Sequence, residues 1–192
     1  HPLSLYAASK KANEVMAHSY SSLFGLPSTG LRFFTVYGPW GRPDMALFIF
    51  VKKILQNKPI DVFGYGKMFR DFTYIDDVIS AIEKLINHIP QADNNYDFSD
   101  PSPYISNVPW KIFNIGNNNP VNLNDFIDLI ENNLNLKATR NFLPIQSGDV
   151  MSTSADITKI NKAIGFVPTT QINEGIPIFV DWYKKYYKEE IN

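Results

Sequence analysis

The chain has 192 residues, 44% of them hydrophobic, which is enough apolar content for one domain or two small domains with a buried core. Its formal net charge of -1 provides no basic field, so composition disfavours nucleic acid and anionic membranes as partners and favours small molecules. There is no cysteine, which excludes disulfides and thiolate metal sites, and His1, His18 and His88 show no ligand spacing. Neither a signal peptide nor an apolar run long enough to span a bilayer is found, which predicts a soluble, cytoplasmic protein.

The first part of the chain predicts a helix, a strand and a second helix. Residues 4–24 place apolar side chains at helical spacing and end at Gly25. GLRFFTVYG (30–38) has the aromatic and β-branched content of one continuous buried strand. A rigid, turn-rich loop (39–45) then leads into the predicted helix ALFIFVKKILQNK (46–58).

Shorter elements are predicted next. IDVFG (60–64) and RDFTYI (70–75) read as strands, and the Gly-bracketed segment 64–67 reads as a hairpin turn between them. Asp76 is positioned to cap a helix with apolar residues at helical spacing. Residues 88–110 are polar and Pro-rich, which predicts a surface loop or insertion.

The remaining elements continue the alternation of strands and helices. They are a strand at 111–116, a helix at 122–134 capped by Asn122 or Asn124, a strand near 138–143, and helices at about 156–164 and 172–187. This alternation predicts an α/β fold. The strand, Gly-rich turn and helix that normally open a doubly wound nucleotide-binding fold are missing from the sequence, so the predicted parallel sheet is incomplete.

Tyr6 and Lys10 are the first candidate pair for chemistry. They lie four residues apart in the first predicted helix, hence on one face and within reach of each other. An ammonium beside a phenol favours the phenolate, so the pair could supply a base near neutral pH. On spacing alone, a surface tyrosine beside a surface lysine is the commoner explanation, because this spacing often arises by chance.

Five segments in a fixed order carry a family resemblance. They are LYAASKK, RFFTVYGPWGRPDM, RDFTYIDDV, FNIG, and GDV followed by AD. In this order and at these intervals they resemble the nucleotide-sugar epimerases and dehydratases of the extended short-chain dehydrogenase/reductase family, above all its UDP-glucuronate 4-epimerase branch of the bacterial capsule type. The resemblance spans nearly the whole chain.

The resemblance implies the C-terminal portion of an extended Rossmann-type enzyme, with an incomplete parallel sheet and a small mixed α/β substrate-binding domain. Residues 1–40 would be the tail of the NAD-binding domain, to which 71–88 and 111–117 would return. Residues 41–70 and 118–192 would bind the UDP-sugar, and 89–110 would be a surface loop or insertion. The family's GxxGxxG segment and its catalytic serine or threonine are missing from the sequence, so we expect the chain by itself to be inactive.

The resemblance also implies a reaction. Tyr6 would take the proton from the sugar hydroxyl at carbon 4 while NAD accepts the hydride, and Lys10 would stabilise the phenolate and touch the nicotinamide ribose. The 4-keto sugar would rotate and take the hydride back on its other face, converting UDP-glucuronate to UDP-galacturonate. The family needs no metal, and its members pair into homodimers.

Further implied cofactor contacts come from Tyr37 and Pro39, in the turn that approaches the nicotinamide. The implied substrate contacts are Thr35 and Arg42 with the sugar and its carboxylate, the amides of Ala46 and Leu47 and the side chain of Arg70 with the diphosphate, Phe63 with the uracil, and Asp149 with the ribose. Gln146 stands where some relatives carry a second diphosphate-binding arginine.

Alternatives remain open at this point. Thr35 and Phe63 could be ordinary core residues, and Arg42 could be an ordinary solvated loop residue. A UDP-glucose 4-epimerase, or a nucleotide-sugar dehydratase or decarboxylase, would share the Tyr and Lys. A non-catalytic module that binds a sugar nucleotide would share the same fold.

Overall fold

The structure is a computed structural model that describes residues 1–188, and it confirms the α/β class. The described helices are α1 (Leu5–Phe24), α2 (Ala46–Leu55), α3 (Ile75–Ile86), α4 (Leu123–Leu134), α5 (Thr158–Ile164) and α6 (Ile172–Tyr186). The described strands are β1 (Ser28–Phe33), β2 (Thr35–Tyr37), β3 (Ile60–Val62), β4 (Phe69–Tyr74), β5 (Trp110–Ile115), β6 (Pro120–Asn122) and β7 (Arg140–Phe142).

The chain divides into two compact units. Unit 1 comprises His1–Phe33, Ser80–Ile115 and Asp156–Phe166. Unit 2 comprises Phe34–Ile79, Gly116–Ala155 and the described residues from Val167 onward. Residues 34–40 and 71–79, which the resemblance assigns to the cofactor domain, therefore lie in unit 2, and 156–166 lies in unit 1. Which unit binds cofactor and which binds substrate stays a prediction.

Unit 1 is built on the parallel pair β1 and β5, with Ser28 opposite Trp110 and Phe33 opposite Ile115. Helix α1 packs beside β1, and α5 packs beside β5. The start of α1 is fixed by Ser4, whose hydroxyl oxygen accepts a bond of 3.1 Å from the N–H of Ala7, so the predicted first helix is confirmed with a cap. The core of this unit is formed by buried apolar side chains of β5, of α5 and of the C-terminal half of α3.

Unit 2 contains a three-stranded sheet in which β4 lies in the middle, parallel to β2 and antiparallel to β6. A separate parallel pair joins β3 to β7. Helices α2, α4 and α6 contribute the apolar core of the unit, where the rings of Phe72 and Phe126 stack with centroids 4.3 Å apart. Asn122 is the cap of α4, because its side chain accepts a bond of 2.9 Å from the N–H of Asn124.

The predicted single strand over 30–38 is wrong. Strand β1 ends at Phe33 and pairs with β5 in unit 1, whereas β2 begins at Thr35 and pairs with β4 in unit 2. An unbroken run of aromatic and β-branched residues gives no local sign that the partner strand changes at Phe34.

The predicted hairpin at 64–67 is also wrong. Strand β3 pairs with β7, and β4 pairs with β2 and β6, so β3 and β4 are not hydrogen-bonded to each other. The segment Phe63–Gly66 is a short 3-10 turn in which Gly64 and Tyr65 have φ of 59° and 53°. Two adjacent left-handed residues suggest a hairpin turn locally, but distant strands determine the pairing.

One smaller prediction was wrong, and one short strand was missed. Helix α3 begins at Ile75, so Asp76 is its second residue and does not cap it. The three-residue strand β6 was missed because it is too short to show an alternating pattern. The predicted loop over 88–110 is confirmed, since its described residues form neither a helix nor a named strand before Trp110.

Candidate functional site

Tyr6 and Lys10 lie one turn apart on α1, as the sequence spacing predicts. The Lys10 Nζ is 5.4 Å from the centroid of the Tyr6 ring, and Tyr6 is 68% exposed. Both side chains line a cleft of about 580 Å³ in unit 1, together with Asn13 and Arg32. This cleft presents a phenol, an ammonium and a carboxamide, which are groups able to form hydrogen bonds with hydroxyl and carbonyl groups of a ligand.

A bidentate ion pair joins α1 to β1 in the wall of this cleft. Arg32 donates from Nε and Nη2 to the two carboxylate oxygens of Glu14, at 2.6 and 2.8 Å. Hydrogen bonds from Arg32 lower the pKa of Glu14, and Glu14 raises the pKa of Arg32. The pair fixes the orientation of α1 on β1, and sequence reasoning missed it because the two residues carry no local pairing signal.

The turn after β2 contains the other predicted cofactor contacts. Tyr37 is buried, its hydroxyl donates to the main-chain oxygen of Gln171 at 3.4 Å, and burial raises its pKa. A contact of Tyr37 with a cofactor would therefore use its main chain. Gly38 has φ of 144°, and a Cβ there would meet the side chain of Ile75 at 2.5 Å, so the position just before Pro39 favours glycine.

The loop beyond this turn carries Arg42. Its Nε and Nη2 donate to the carboxylate of Asp44 at 3.1 and 2.5 Å, and this bonding lowers the pKa of Asp44. Trp40, two residues earlier, has φ of 62° and packs against Trp182 and Tyr186 of α6, with ring centroids 5.4 and 4.8 Å apart. The aromatic packing anchors this loop on unit 2 although Trp40 has a conformation unusual for a bulky residue.

Arg70 and Asp149 are brought into contact in unit 2. The Arg70 Nη2 donates to Asp149 Oδ1 at 2.7 Å, and Nη1 donates to the main-chain oxygens of Phe69 and Met151 at 2.9 and 3.4 Å. A guanidinium has five N–H donors, so this arrangement orients the group and leaves donors for an anion. Gln146 is joined to Asp149 through the main chain, where the Asp149 N–H donates to the Gln146 oxygen at 3.1 Å.

The remaining candidates lie on other elements of unit 2. Thr35 is the half-buried first residue of β2, and Phe63 is the half-buried first residue of the 3-10 turn. Ala46 and Leu47 open α2, where Met45 makes no side-chain cap bond and the Leu47 side chain is buried. A diphosphate contact at this helix end would therefore use main-chain N–H groups.

Residues 1–188 present neither a metal-binding cluster of side chains nor a helix suited to a membrane. No cluster of three or more His, Cys, Asp or Glu side chains suited to a metal ion occurs among them. None of the helices over the same residues has the length and apolar character needed to cross a bilayer.

Comparison with known families identifies the class. A model of the NAD dependent epimerase/dehydratase family matches residues 1–99, just over half of the chain. The chain therefore belongs to the NAD dependent epimerase/dehydratase family, which confirms the family expected from the five segments.

Among the similar proteins are named sugar-nucleotide epimerases and a protein named CapI. Protein CapI of Staphylococcus aureus is 52% identical over 189 residues, which cover 98% of this chain and 57% of that protein. A probable UDP-glucuronate 4-epimerase of Rhizobium meliloti is 44% identical, with coverage of 97% and 55%. The crystal structure of UDP-glucuronic acid 4-epimerase from Bacillus cereus, in complex with UDP-glucuronic acid and NAD, superposes with a TM-score of 0.82 at 33% identity, covering 97% of this chain and 55% of that chain. The chain thus spans about half the length of the relatives it matches.

Proposed function

We propose that the chain is part of an NAD-dependent UDP-sugar 4-epimerase whose substrate is UDP-glucuronate. The observation that carries the proposal is the Tyr6–Lys10 pair, with the ammonium 5.4 Å from the phenol ring on an exposed helix face. Membership of the epimerase/dehydratase family supports the reaction class, and similarity to UDP-glucuronate 4-epimerases supports the sugar.

In the proposed reaction Tyr6 moves a proton, and Lys10 stabilises its phenolate. The Tyr6 oxygen accepts the proton of the hydroxyl at carbon 4 as the hydrogen on that carbon leaves as hydride. Bound NAD supplies the acceptor for this hydride and its donor in the return step. The resulting 4-keto sugar rotates in the pocket and receives the hydride on its other face. Its oxygen takes the proton back from Tyr6, so the configuration at carbon 4 is inverted.

Unit 2 is proposed to hold the rest of the substrate. We assign Arg70 and the N-terminal amides of α2 to the diphosphate, and Asp149 to the ribose hydroxyls. Phe63 is assigned to the uracil. Thr35 and Arg42 are assigned to the uronate, because a planar guanidinium suits a carboxylate. The hydrogen bond from Arg70 to Asp149 supports this assignment, because it holds the proposed diphosphate and ribose contacts side by side.

We further propose that the chain alone is inactive and that the complete protein is a homodimer. The chain contains no GxxGxxG segment and covers 55% of the probable UDP-glucuronate 4-epimerase from Rhizobium meliloti. Helix α1 exposes large apolar side chains along its length, including Val15, Met16 and Tyr20, and its one buried residue is Ser21. Such a face is suited to packing against another surface, and sedimentation of the complete protein as a monomer would contradict the homodimer.

The test is a product assay on the complete protein that carries this chain. The protein is incubated with NAD and either UDP-glucuronate or UDP-glucose, and the products are separated by chromatography and identified by proton NMR. Formation of UDP-galacturonate supports the proposal. Conversion of UDP-glucose alone would favour a UDP-glucose 4-epimerase, and binding without conversion of either would favour the non-catalytic module.

A further inference from the structure

Asp71 is a buried carboxylate that the proposed reaction does not use. It is the third residue of β4, and its side chain is fully buried, at 0% exposure. Its Oδ1 accepts the N–H of Asn117 at 2.8 Å, and its Oδ2 accepts the N–H groups of Asn118 and Ala155 at 3.0 and 2.7 Å. A buried carboxylate is costly unless it is hydrogen-bonded, so these three bonds make the residue compatible with its position.

The three amides belong to two segments that are distant in sequence. Asn117 and Asn118 lie in the turn between β5 and β6, whereas Ala155 lies near the end of the loop that joins β7 to α5. Gly116 lies beside Ala155 and the Asp71 carboxylate, since an added Cβ at Gly116 would come within 2.2 Å of the Ala155 Cβ. Asp71 therefore ties both segments to the centre of the sheet in unit 2.

The second of these segments runs along the start of β4. The N–H of Phe69 donates to the Met151 oxygen at 2.8 Å, and the N–H of Thr153 donates back to the Phe69 oxygen at 3.2 Å. The N–H of Asp71 donates to the hydroxyl oxygen of Thr153 at 3.1 Å. Residues 151–155 are thus held beside β4 at two successive points, and the Asp71 carboxylate fixes the end of the segment.

Arg70 lies between these two points of attachment. Because side chains alternate along a strand, Asp71 faces inward while Arg70 faces the opposite side of the sheet. The segment fixed by Asp71 supplies two of the acceptors that orient the Arg70 guanidinium, namely Asp149 Oδ1 and the Met151 oxygen. The Arg70 side chain is consequently only 17% exposed although it is charged.

We propose that Asp71 is the positioning residue for the nucleoside diphosphate part of the substrate. It sets the place of residues 149–155, and through them the orientation of Arg70 and Asp149, without touching the ligand itself. This inference rests on the proposed function, because Arg70 and Asp149 are there assigned to the diphosphate and the ribose.

The chain offers a matched control in Asp77. This residue is also buried, at 6% exposure, and also accepts three bonds from a distant segment of unit 2. Its partners are the N–H and hydroxyl of Thr169 and the N–H of Thr170, at 2.8 to 3.1 Å. The segment that Asp77 holds leads into α6 and carries neither Arg70 nor Asp149.

The experiment measures UDP binding by calorimetry for the complete protein and its variants Asp71→Asn and Asp77→Asn. Asparagine keeps the size of the side chain but places an NH2 group against main-chain N–H donors. We expect UDP to bind about 10-fold more weakly to Asp71→Asn and within about twofold of wild type to Asp77→Asn. In steady-state assays Asp71→Asn should raise KM by a similar factor and leave kcat within about twofold.

A milder variant keeps the inference testable if Asp71→Asn does not fold. Thr153→Val removes the acceptor of the Asp71 N–H and should weaken UDP binding about threefold. Unchanged UDP affinity in Asp71→Asn, or in Thr153→Val where Asp71→Asn does not fold, would overturn the inference, as would equal weakening in Asp77→Asn. Failure of the wild-type protein to bind UDP would overturn the proposed function as well, and it would be seen before any variant is made.

Discussion

The two candidate pairs of functional side chains are assembled in different ways. Tyr6 and Lys10 lie one turn apart on α1, so the helix backbone alone brings them together. Arg70 and Asp149 are separated by 79 residues in sequence. They meet because the loop after β7 is hydrogen-bonded to the first residues of β4. The first pair therefore depends on local geometry, whereas the second depends on buried residues, such as Asp71, that do not touch a ligand.

This difference predicts that the two pairs can be disturbed separately. Changes on α1 should lower the rate of the chemical step while the affinity for UDP remains the same. Changes around β4 should lower the affinity for UDP while the rate at saturating substrate remains the same. All of the variants are made in the complete protein.

Replacing Lys10 tests the local pair. Lys10→Met removes the ammonium near the Tyr6 ring, and we expect kcat to fall about 100-fold or more while the dissociation constant for UDP is unchanged. Lys11→Met is the control, since Lys11 is one position along α1 and bonds to Glu14 instead, at 3.1 Å. Equal losses of kcat in the two variants would show that the location of the Lys10 ammonium beside the Tyr6 ring is unimportant.

Replacing Arg70 tests the long-range pair. Arg70→Ala removes the proposed charge-assisted bond to the diphosphate, and we expect UDP binding measured by calorimetry to weaken about 10- to 100-fold. Lys67→Ala makes the same charge change at an exposed residue close by in the chain. A loss in Lys67→Ala as large as in Arg70→Ala would indicate a general effect of charge instead of a specific contact.

Replacing Arg42 tests the choice of sugar within unit 2. Arg42→Ala should lower kcat/KM about 10-fold for UDP-glucuronate and much less for UDP-glucose, because only the uronate carries a carboxylate for the guanidinium. Arg42→Lys keeps the charge and loses the planar fork, so it should recover part of the loss. Equal losses for acidic and neutral sugars in Arg42→Ala would contradict the carboxylate role.

The smallest expected effect concerns the ion pair that orients α1. Arg32 lowers the pKa of Glu14 below its ordinary value of 4.5, so the pair stabilises the protein above that pH and the contribution is lost as pH falls through the lowered pKa. Glu14→Gln should therefore reduce the free energy of unfolding by about 1 kcal/mol at pH 7, and the difference from wild type should shrink towards pH 3.

Urea unfolding at the two pH values measures this effect, with Glu83→Gln, at an exposed position on α3, as the control. If Glu14→Gln lowers the free energy of unfolding by the same amount at pH 7 and pH 3, the role of the ionised carboxylate is contradicted. UDP affinity should remain at the wild-type value in Glu14→Gln, because Glu14 and Arg32 both belong to unit 1.

The parts of the fold that the sequence predicts well are those with local signals. Helix α1 has a capping serine and a terminal glycine, and α4 has Asn122 as its cap, so their bounds follow from short-range chemistry. The break at Phe34 and the pairing of β3 with β7 depend on which distant strand is available, and neither has a local signature. These two features account for the two larger failures of the sequence-based predictions, besides the Asp76 cap and the missed strand β6.

The same distinction applies to the candidate site. Tyr6 and Lys10 are evident from spacing, while the contact between Arg70 and Asp149 emerges only when β4 and the 149–155 segment lie side by side. Asp71 lies in the segment RDFTYIDDV, but nothing in the sequence indicates its main-chain partners. Glu14 likewise shows no sign of its distant partner Arg32, because neither kind of contact has a sequence pattern of its own. Sequence indicates which residues carry the chemistry more readily than which residues position them.

The most direct test of the central claim compares Tyr6→Phe with Tyr20→Phe in the complete protein, assayed with UDP-glucuronate and NAD. The two tyrosines lie on the same helix and are 68% and 58% exposed, so the substitutions are closely matched. If Tyr6 carries the proton, Tyr6→Phe should reduce kcat about 1,000-fold and Tyr20→Phe should leave it within about twofold of wild type. Activity of Tyr6→Phe equal to that of Tyr20→Phe would contradict the assignment of Tyr6 as the catalytic base.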